Sequence, residues 1–475
     1  MFPKGRVGVL AAIGLTLIEA CAVGPNYRIP GRALVNAPAA KGAFLASTDP
    51  ALTPARLPQN WWRLYKDPKL DALVREALTA NTDLRIANAN LERSEALLRE
   101  AKSLRQPSVA MQAGLEYAQL AGEQYLMPIT PPRSTYYNGG ISVGYDLDLF
   151  GGIRRGIEAA RADNEAIEAA RDLVRVNVAA ETARAYADAC GAGSQLKTAE
   201  RSLALQRNSL DLTRRLLAGG RAMDLDVKRS QELVHELTGA IPSLEAARRN
   251  ALYRLAVLTG RAPSQFDRDL EDCATPPRLR QALPIGDGTA LLRRRPDIRE
   301  AERELAAATA EIGVATAQLY PDISIGVGTG SIGTAATALT SPTNFWQLGS
   351  MLHWQANQSA ARAQVAAANA TAKSALAHFD GTVLSALADT ESALNVYVHD
   401  LEREESLKAA RDDAARVVQD AERLEIGGRA TALDVIDAQR TLASAEQTLA
   451  QLETVISEDQ VAVFLALGGG WEGAS

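Results

Sequence analysis

Two stretches of this 475-residue chain have residue types and spacing that could carry chemistry. Gly140-Ile141-Ser142-Val143-Gly144 matches G-x-S-x-G, the hydrolase elbow in which a strained strand-to-helix turn exposes a serine for attack on a carbonyl. Gly328-Thr329-Gly330-Ser331-Ile332-Gly333 has the glycine spacing with which a strand-to-helix turn cradles the pyrophosphate of a dinucleotide. Neither has the surroundings its chemistry needs. Ser142 falls inside an alternating strand pattern rather than a turn, and the second motif has no clear helix after it and no acidic residue in the next 35 positions. His235, His353, His378 and His399 lie too far apart to suggest a metal site. The expectation is a protein that is not an enzyme, in which these glycines form loops between strands and leave room in a lumen.

The elements around those glycines have a period of two. Val109, Met111, Ala113, Leu115 and Tyr117 alternate with small or polar residues. So do Ile141, Val143, Tyr145, Leu147 and Leu149, and again Ile323, Ile325 and Val327. With a less regular run near 344–355 this makes four strands, two in each half of the chain. Their lengths approach the ~9–11 residues that a tilted membrane strand needs. Four strands cannot close a barrel and a spanning sheet must leave no edge unpaired in hydrocarbon, so the barrel must be shared between subunits.

The rest reads as long helices. Between 360 and 426 there is one glycine and no proline, and 67 such residues would run about 100 Å. Low aromatic content (5%) and abundant alanine suit such helices. An apolar helical stripe also runs from Leu70 through Leu98 to Pro107, and Ile241-Pro242 interrupts one later helical return. Gly219-Gly220-Arg221-Ala222-Met223-Asp224-Leu225-Asp226-Val227 recurs as Gly427-Gly428-Arg429-Ala430-Thr431-Ala432-Leu433-Asp434-Val435, with seven of nine positions identical. Each copy ends one helix on a glycine pair and starts another at once, which makes a hairpin tip. Repetition on this scale indicates a duplicated unit. The shared residues beyond the glycines, with Gln231 and Gln439 after them, ask for more than a helix stop.

At the N-terminus Lys4 and Arg6 precede an apolar run from Val7 to Ile18, the pattern of a secretory signal. Ile18-Glu19-Ala20-Cys21 then resembles the lipobox of bacterial lipoproteins, with Glu19 where a small or uncharged residue is usual. Cys21 would become the lipidated first residue, and Ala22 in place of Asp points to the outer membrane. An oxidising periplasm would allow Cys190 and Cys273 to bridge, although nothing in the sequence brings them together. Net charge is −6 and there is no basic run, which argues against a nucleic-acid partner. Four segments follow: 1–20 signal peptide, 21–60 lipidated extended strap, 61–290 first structural repeat and 291–475 second.

Several motifs in order carry a family resemblance. They are Cys21-Ala22-Val23-Gly24-Pro25-Asn26-Tyr27-Arg28-Ile29-Pro30, Asp146-Leu147-Asp148-Leu149-Phe150-Gly151-Gly152, Asn250-Ala251-Leu252 through Leu258-Thr259-Gly260, Leu291-Leu292-Arg293-Arg294-Arg295-Pro296-Asp297-Ile298, Ile312-Gly313-Val314-Ala315, Leu433-Asp434-Val435 through Gln439-Arg440, and Leu467-Gly468-Gly469-Gly470-Trp471. Together they resemble the TolC-like outer-membrane efflux family, and within it the lipoprotein branch of OprM/NodT-type factors of tripartite pumps. The sequence departs from that pattern at Trp354-Gln355-Ala356-Asn357-Gln358-Ser359-Ala360-Ala361-Arg362, which lacks the Phe and two glycines of the second strand-to-helix junction. It departs also at Ala430, where some relatives carry an acid.

The resemblance implies a homotrimer with a 12-stranded β-barrel in the outer membrane, continued by an α-helical tunnel across the periplasm. It implies a passive exit duct for drugs or solutes, met at its helical tips by a periplasmic adaptor and driven by an inner-membrane transporter. No cofactor is expected beyond the lipid on Cys21. Gly219, Gly220, Arg221, Gly427, Gly428 and Arg429 are assigned to adaptor docking, and Asp224, Asp226 and Asp434 to aperture charge or to helix capping. The alternatives are the duct of a type I protein-secretion system and, in another class, a trimeric coiled-coil surface or adhesion protein.

Overall fold

The structure, a computed structural model, describes residues 22–121, 128–337 and 339–469. The signal segment 1–20, Cys21 and Trp471 lie outside the described residues. In chain order the principal elements are helices α1 (Pro68–Ala80) and α2 (Thr82–Ser103), strands β1 (Ser108–Ala118) and β2 (Ser134–Leu147), helices α3 (Gly152–Ala218) and α4 (Asp224–Leu258), α5 (Gly288–Arg294) and α6 (Pro296–Ala317), strands β3 (Asp322–Thr334) and β4 (Asn344–His353), and helices α7 (Ser359–Ile426) and α8 (Ala432–Ala466). Two compact units form, each drawing on both halves of the sequence. The first comprises Met1–Pro30, Leu91–Ile167 and Ala301–Phe379, and the second Gly31–Asn90, Glu168–Glu300 and Asp380–Ser475.

In the first unit the four strands make one antiparallel sheet in the order β1-β2-β3-β4. Directly paired residues share a face, so the register sorts the side chains into rows. Val109, Val143, Val327 and Leu348 form an apolar row, and Met111, Ile141, Thr329 and Trp346 the next. On the other face Ala110, Ser142, Gly328 and Gln347 line up, followed by Gln112, Gly140, Gly330 and Phe345. The apolar face is exposed, Met111 at 78% and Leu348 at 70%, so no described residue covers it. β2 begins at Ser134, well before the alternation that starts at Ile141. Pairing of Tyr136 and Tyr137 with both neighbouring strands carries it further than the sequence pattern does.

The second unit holds the main core. Trp61 stacks on Phe464 with ring centroids 4.5 Å apart, and Leu70, Val74, Leu252, Leu291, Leu394 and Ile456 pack around them. The stripe from Leu70 to Leu98 is not one helix. Asn81 ends α1 and caps α2, its Oδ1 accepting from Asp83 N at 2.8 Å and Leu84 N at 3.2 Å while Nδ2 donates to Leu258 O at 3.1 Å. α4 runs unbroken through Pro242. Proline removes one amide there, and its carbonyl partner on the exposed Thr238 is open to water, so the helix bends to no interruption. The strap of residues 31–60 is not wholly extended. It contains a helical turn at Pro38–Lys41 and a strand pair of Leu52–Thr53 with Leu283–Pro284, and it buries Phe44, Leu52 and Leu57.

The segment that links the halves is fastened across the same core. Cys190 and Cys273 form a disulfide with Cα atoms 4.7 Å apart. Gly193 lets it close, because a Cβ there would stand 1.9 Å from the Cys273 carbonyl oxygen. Closing an 83-residue loop removes unfolded-state entropy corresponding to about 4–5 kcal/mol. Arg278 pairs with the buried Glu404 through both guanidinium nitrogens, and Ser457 Oγ donates to Pro277 O at 2.8 Å.

Two carboxyls on α8 are held unusually basic. Burial, then the neighbouring Asp188, pushes Glu458 up to about 7, and burial, then Asp400, does the same for Asp459, with Arg184 opposing both. A carboxyl with a raised folded pKa contributes stability that is complete below its unfolded value of ~4 and is lost as pH rises through about 7. The melting temperature should therefore fall between about pH 5 and about pH 8, and Glu458→Gln with Asp459→Asn should flatten that fall. An undiminished fall in the double variant would remove these carboxyls as its cause.

Candidate functional site

Three places bear on function: the arm at residues 22–30, the junctions between strands and helices, and the helical tips. At the first, Arg155 on α3 is nearly buried and gathers the arm that follows Cys21. Its Nε donates to Val23 O at 3.0 Å, and its Nη2 to Gly24 O at 3.2 Å and to Asn26 Oδ1 at 2.8 Å. Tyr27 OH donates to Glu302 at 2.6 Å, and Arg303 lies over the Tyr27 ring at 5.6 Å. Burial and the Glu302 carboxylate hold the Tyr27 phenol well above its usual range. Gly24 has φ +86°, and a Cβ on it would stand 2.6 Å from Gly313 Cα, so the arm needs glycine on both sides. Val23 N donates to Phe150 O at 3.1 Å, which seats residue 22 beside Gly151. The sequence motifs contain Gly24 and Gly313 but give no sign that they meet, nor that Arg155 serves both.

The two strand-to-helix junctions use different chemistry. At the first, Gly151 turns at φ +77° and Asp148 caps α3, accepting from Ile153 N at 3.0 Å and Arg154 N at 2.9 Å. At the second, where the glycines are missing, Asn357 Oδ1 accepts from Ser359 N at 3.2 Å and Ser359 Oγ at 2.9 Å. Trp354 and Gln358 both donate to Leu319 O, at 3.2 and 2.9 Å. The altered junction is thus built on an Asx cap with two side-chain anchors.

At the tips Gly220 and Gly428 both adopt φ +70°. Arg221 N donates to Leu216 O and Arg429 N to Leu424 O, each at 2.8 Å, while Gly220 N and Gly428 N donate to Leu217 O and Glu425 O, each at 2.9 Å. This is the paired closure that ends a helix on a left-handed residue. The next helix begins with an acid at its third position. Asp226 accepts from Met223 N at 2.9 Å, and Asp434 accepts from Thr431 N and Thr431 Oγ1, both at 2.7 Å. These bonds from Thr431 lower the Asp434 pKa. Asp224 instead pairs with Lys228 at 2.9 Å in the open. Residues of both tips, including Gly220, Arg221, Asp226, Gly428 and Thr431, line one cleft of about 770 Å³. Gln439 donates to Glu422 at 3.3 Å, and Gln231 lies 3.5 Å from His235.

Ser142 is exposed within β2, opposite Ala110 and Gly328, and Gly328–Gly333 lie within β3, so neither motif forms the turn its chemistry requires. Among the described residues no group of three or more His, Cys, Asp or Glu is placed to hold a metal ion.

A four-stranded apolar-faced sheet joined to long helical hairpins is the architecture of TolC-like outer-membrane channels. Residues 73–261 and 289–469 match the family model described as outer membrane efflux protein, and the chain belongs to that family. The solved outer-membrane channel OprN is 34% identical, covers 95% of this chain and 100% of its own, and superposes with a TM-score of 0.88. Nodulation protein T of Rhizobium leguminosarum bv. trifolii is 27% identical over 96% of both chains. The pyoverdine export outer membrane protein OpmQ of Pseudomonas putida is 30% identical over 88% of this chain and 89% of its own. None of these relatives carries an enzyme's name.

If Asp434 holds the start of α8, Asp434→Ala should loosen the first turn of that helix. Amide exchange at Thr431 should then quicken severalfold, with the strands unaffected. Unchanged exchange at Thr431 would show that the cap is not what orders the tip.

Proposed function

We propose that three copies of this chain form the passive exit duct of a tripartite efflux system. A 12-stranded barrel shared between the copies would cross the outer membrane, and the helical hairpins would enclose a periplasmic tunnel. The observation that carries this reading is the four-stranded sheet itself. One face is mainly apolar and exposed, the other carries mostly small and polar residues, and among the described residues β1 and β4 end it with unpaired edges. The likeness to a solved outer-membrane channel over nearly the whole chain supports it.

The matched element lengths support a duplicated origin with repeats at 61–290 and 291–475. α2 and α6 have 22 residues each, α3 and α7 have 67 and 68, and α4 and α8 have 35 each. Residues 1–20 would direct export and Cys21 would carry the lipid, with the Arg155 clip drawing the lipidated end to the foot of the barrel strands. The Gly-Gly-Arg tips would meet a periplasmic adaptor linked to an inner-membrane transporter. Asp224, Asp226 and Asp434 would add charge around the aperture, the last kept ionised by Thr431.

The experiment is at the tips, which belong to the second unit while the strands belong to the first. Arg429→Glu should leave membrane insertion intact but weaken adaptor cross-linking and drug export, since removing an interface anchor costs on the order of 2 kcal/mol or more. Ser142→Ala should export normally. Normal export by the tip variant with failure of Ser142→Ala would overturn the duct and reopen the hydrolase.

A further inference from the structure

The polar face of the sheet shows how its larger side chains are stowed. Phe345 belongs to the row Gln112, Gly140, Gly330, Phe345, and its ring reaches back across that row. Its Cζ lies 2.8 Å from where a Gly330 Cβ would be and 3.8 Å from the corresponding point on Gly140, two strands away. A ring that approaches both strands lies flat on the sheet. Gln347 does the same one row on, with Nε2 at 3.3 Å and Cγ at 3.4 Å from the Cβ position of Gly328. Side chains normally stand roughly perpendicular to a sheet, and these two lie down because the neighbouring positions have no side chain.

We propose that Gly140, Gly330 and Gly328 are seats that hold Phe345 and Gln347 against the wall, so that these residues set the bore of the barrel and the size of solute that moves freely through it. The proposal rests on the barrel reading above, in which this face lines the lumen. In a closed barrel the interior is shared by side chains from all strands, so a ring turned from flat to upright narrows the passage once per chain. Phe345 keeps 39% of its surface open, presenting its face rather than its edge to a passing solute. The fingerprint-like glycines of β3 thereby acquire a purpose, which is vacancy.

Single-channel conductance in planar bilayers tests this. Gly330→Ala should lower conductance by at least about a quarter and retard bulky solutes more than small ions, because pore diameter governs both. Adding Phe345→Ala should restore it. A methyl at 330 would also stand 2.5 Å from the Gly139 carbonyl, whereas at Gly328 the nearest backbone atom is 3.6 Å away. Gly328→Ala, with rescue by Gln347→Ala, is therefore the second pair and does not depend on Gly330→Ala folding. Conductance unchanged in Gly328→Ala, or lowered but not restored by the partner substitution, would overturn the seats while leaving the duct in place. A wild-type protein that does not conduct would instead overturn the duct.

Discussion

A strand edge in hydrocarbon leaves amides and carbonyls without partners, at a cost of several kcal/mol each. That constraint governs this chain, because its sheet ends in β1 and β4 with no described residue paired beyond them while its apolar face asks for lipid. Sharing the sheet between copies, as proposed, would satisfy both demands at once. Given that arrangement, the opposite face must line an aqueous space, which accounts for its glycine, serine and glutamine content. It would also account for G-x-S-x-G and the dinucleotide-like glycine run, both of which lie within strands.

The helices answer a different problem, that of turning sharply at the end of a long rod. Gly220, Gly260, Gly428 and Gly468 all take positive φ and all close with the same pair of backbone bonds. At the two tips an acid then caps the next helix, so the residues repeated between the halves are those that fix the shape of the turn. Function at the tips can use that shape without using those residues as chemistry. Arg221 and Arg429 donate their amides to the turn, and both residues are exposed at their tips.

Local periodicity made much of this legible in the sequence. Alternating residues located three strands and a less regular run the fourth, and the absence of proline between 360 and 426 located the longest helix to within a residue. The Gly-Gly pairs located the tips. What escaped depends on contacts distant in sequence. The cap at Asn81 is fastened by a bond to Leu258, the early start of β2 rests on pairing with both neighbouring strands, and the Arg155 clip on an arm some 130 residues away. Pro242 and Asn357 escaped for another reason: a proline on a wet helix face and an asparagine in place of glycines solve local problems with residues that a pattern counts as breaks.

The central claim is that one chain supplies only a sector of a pore. Purified protein in detergent, weighed intact and then inserted into planar bilayers, tests it directly. The account predicts a single species of three chains that conducts. A stable monomer that inserts and conducts would contradict it.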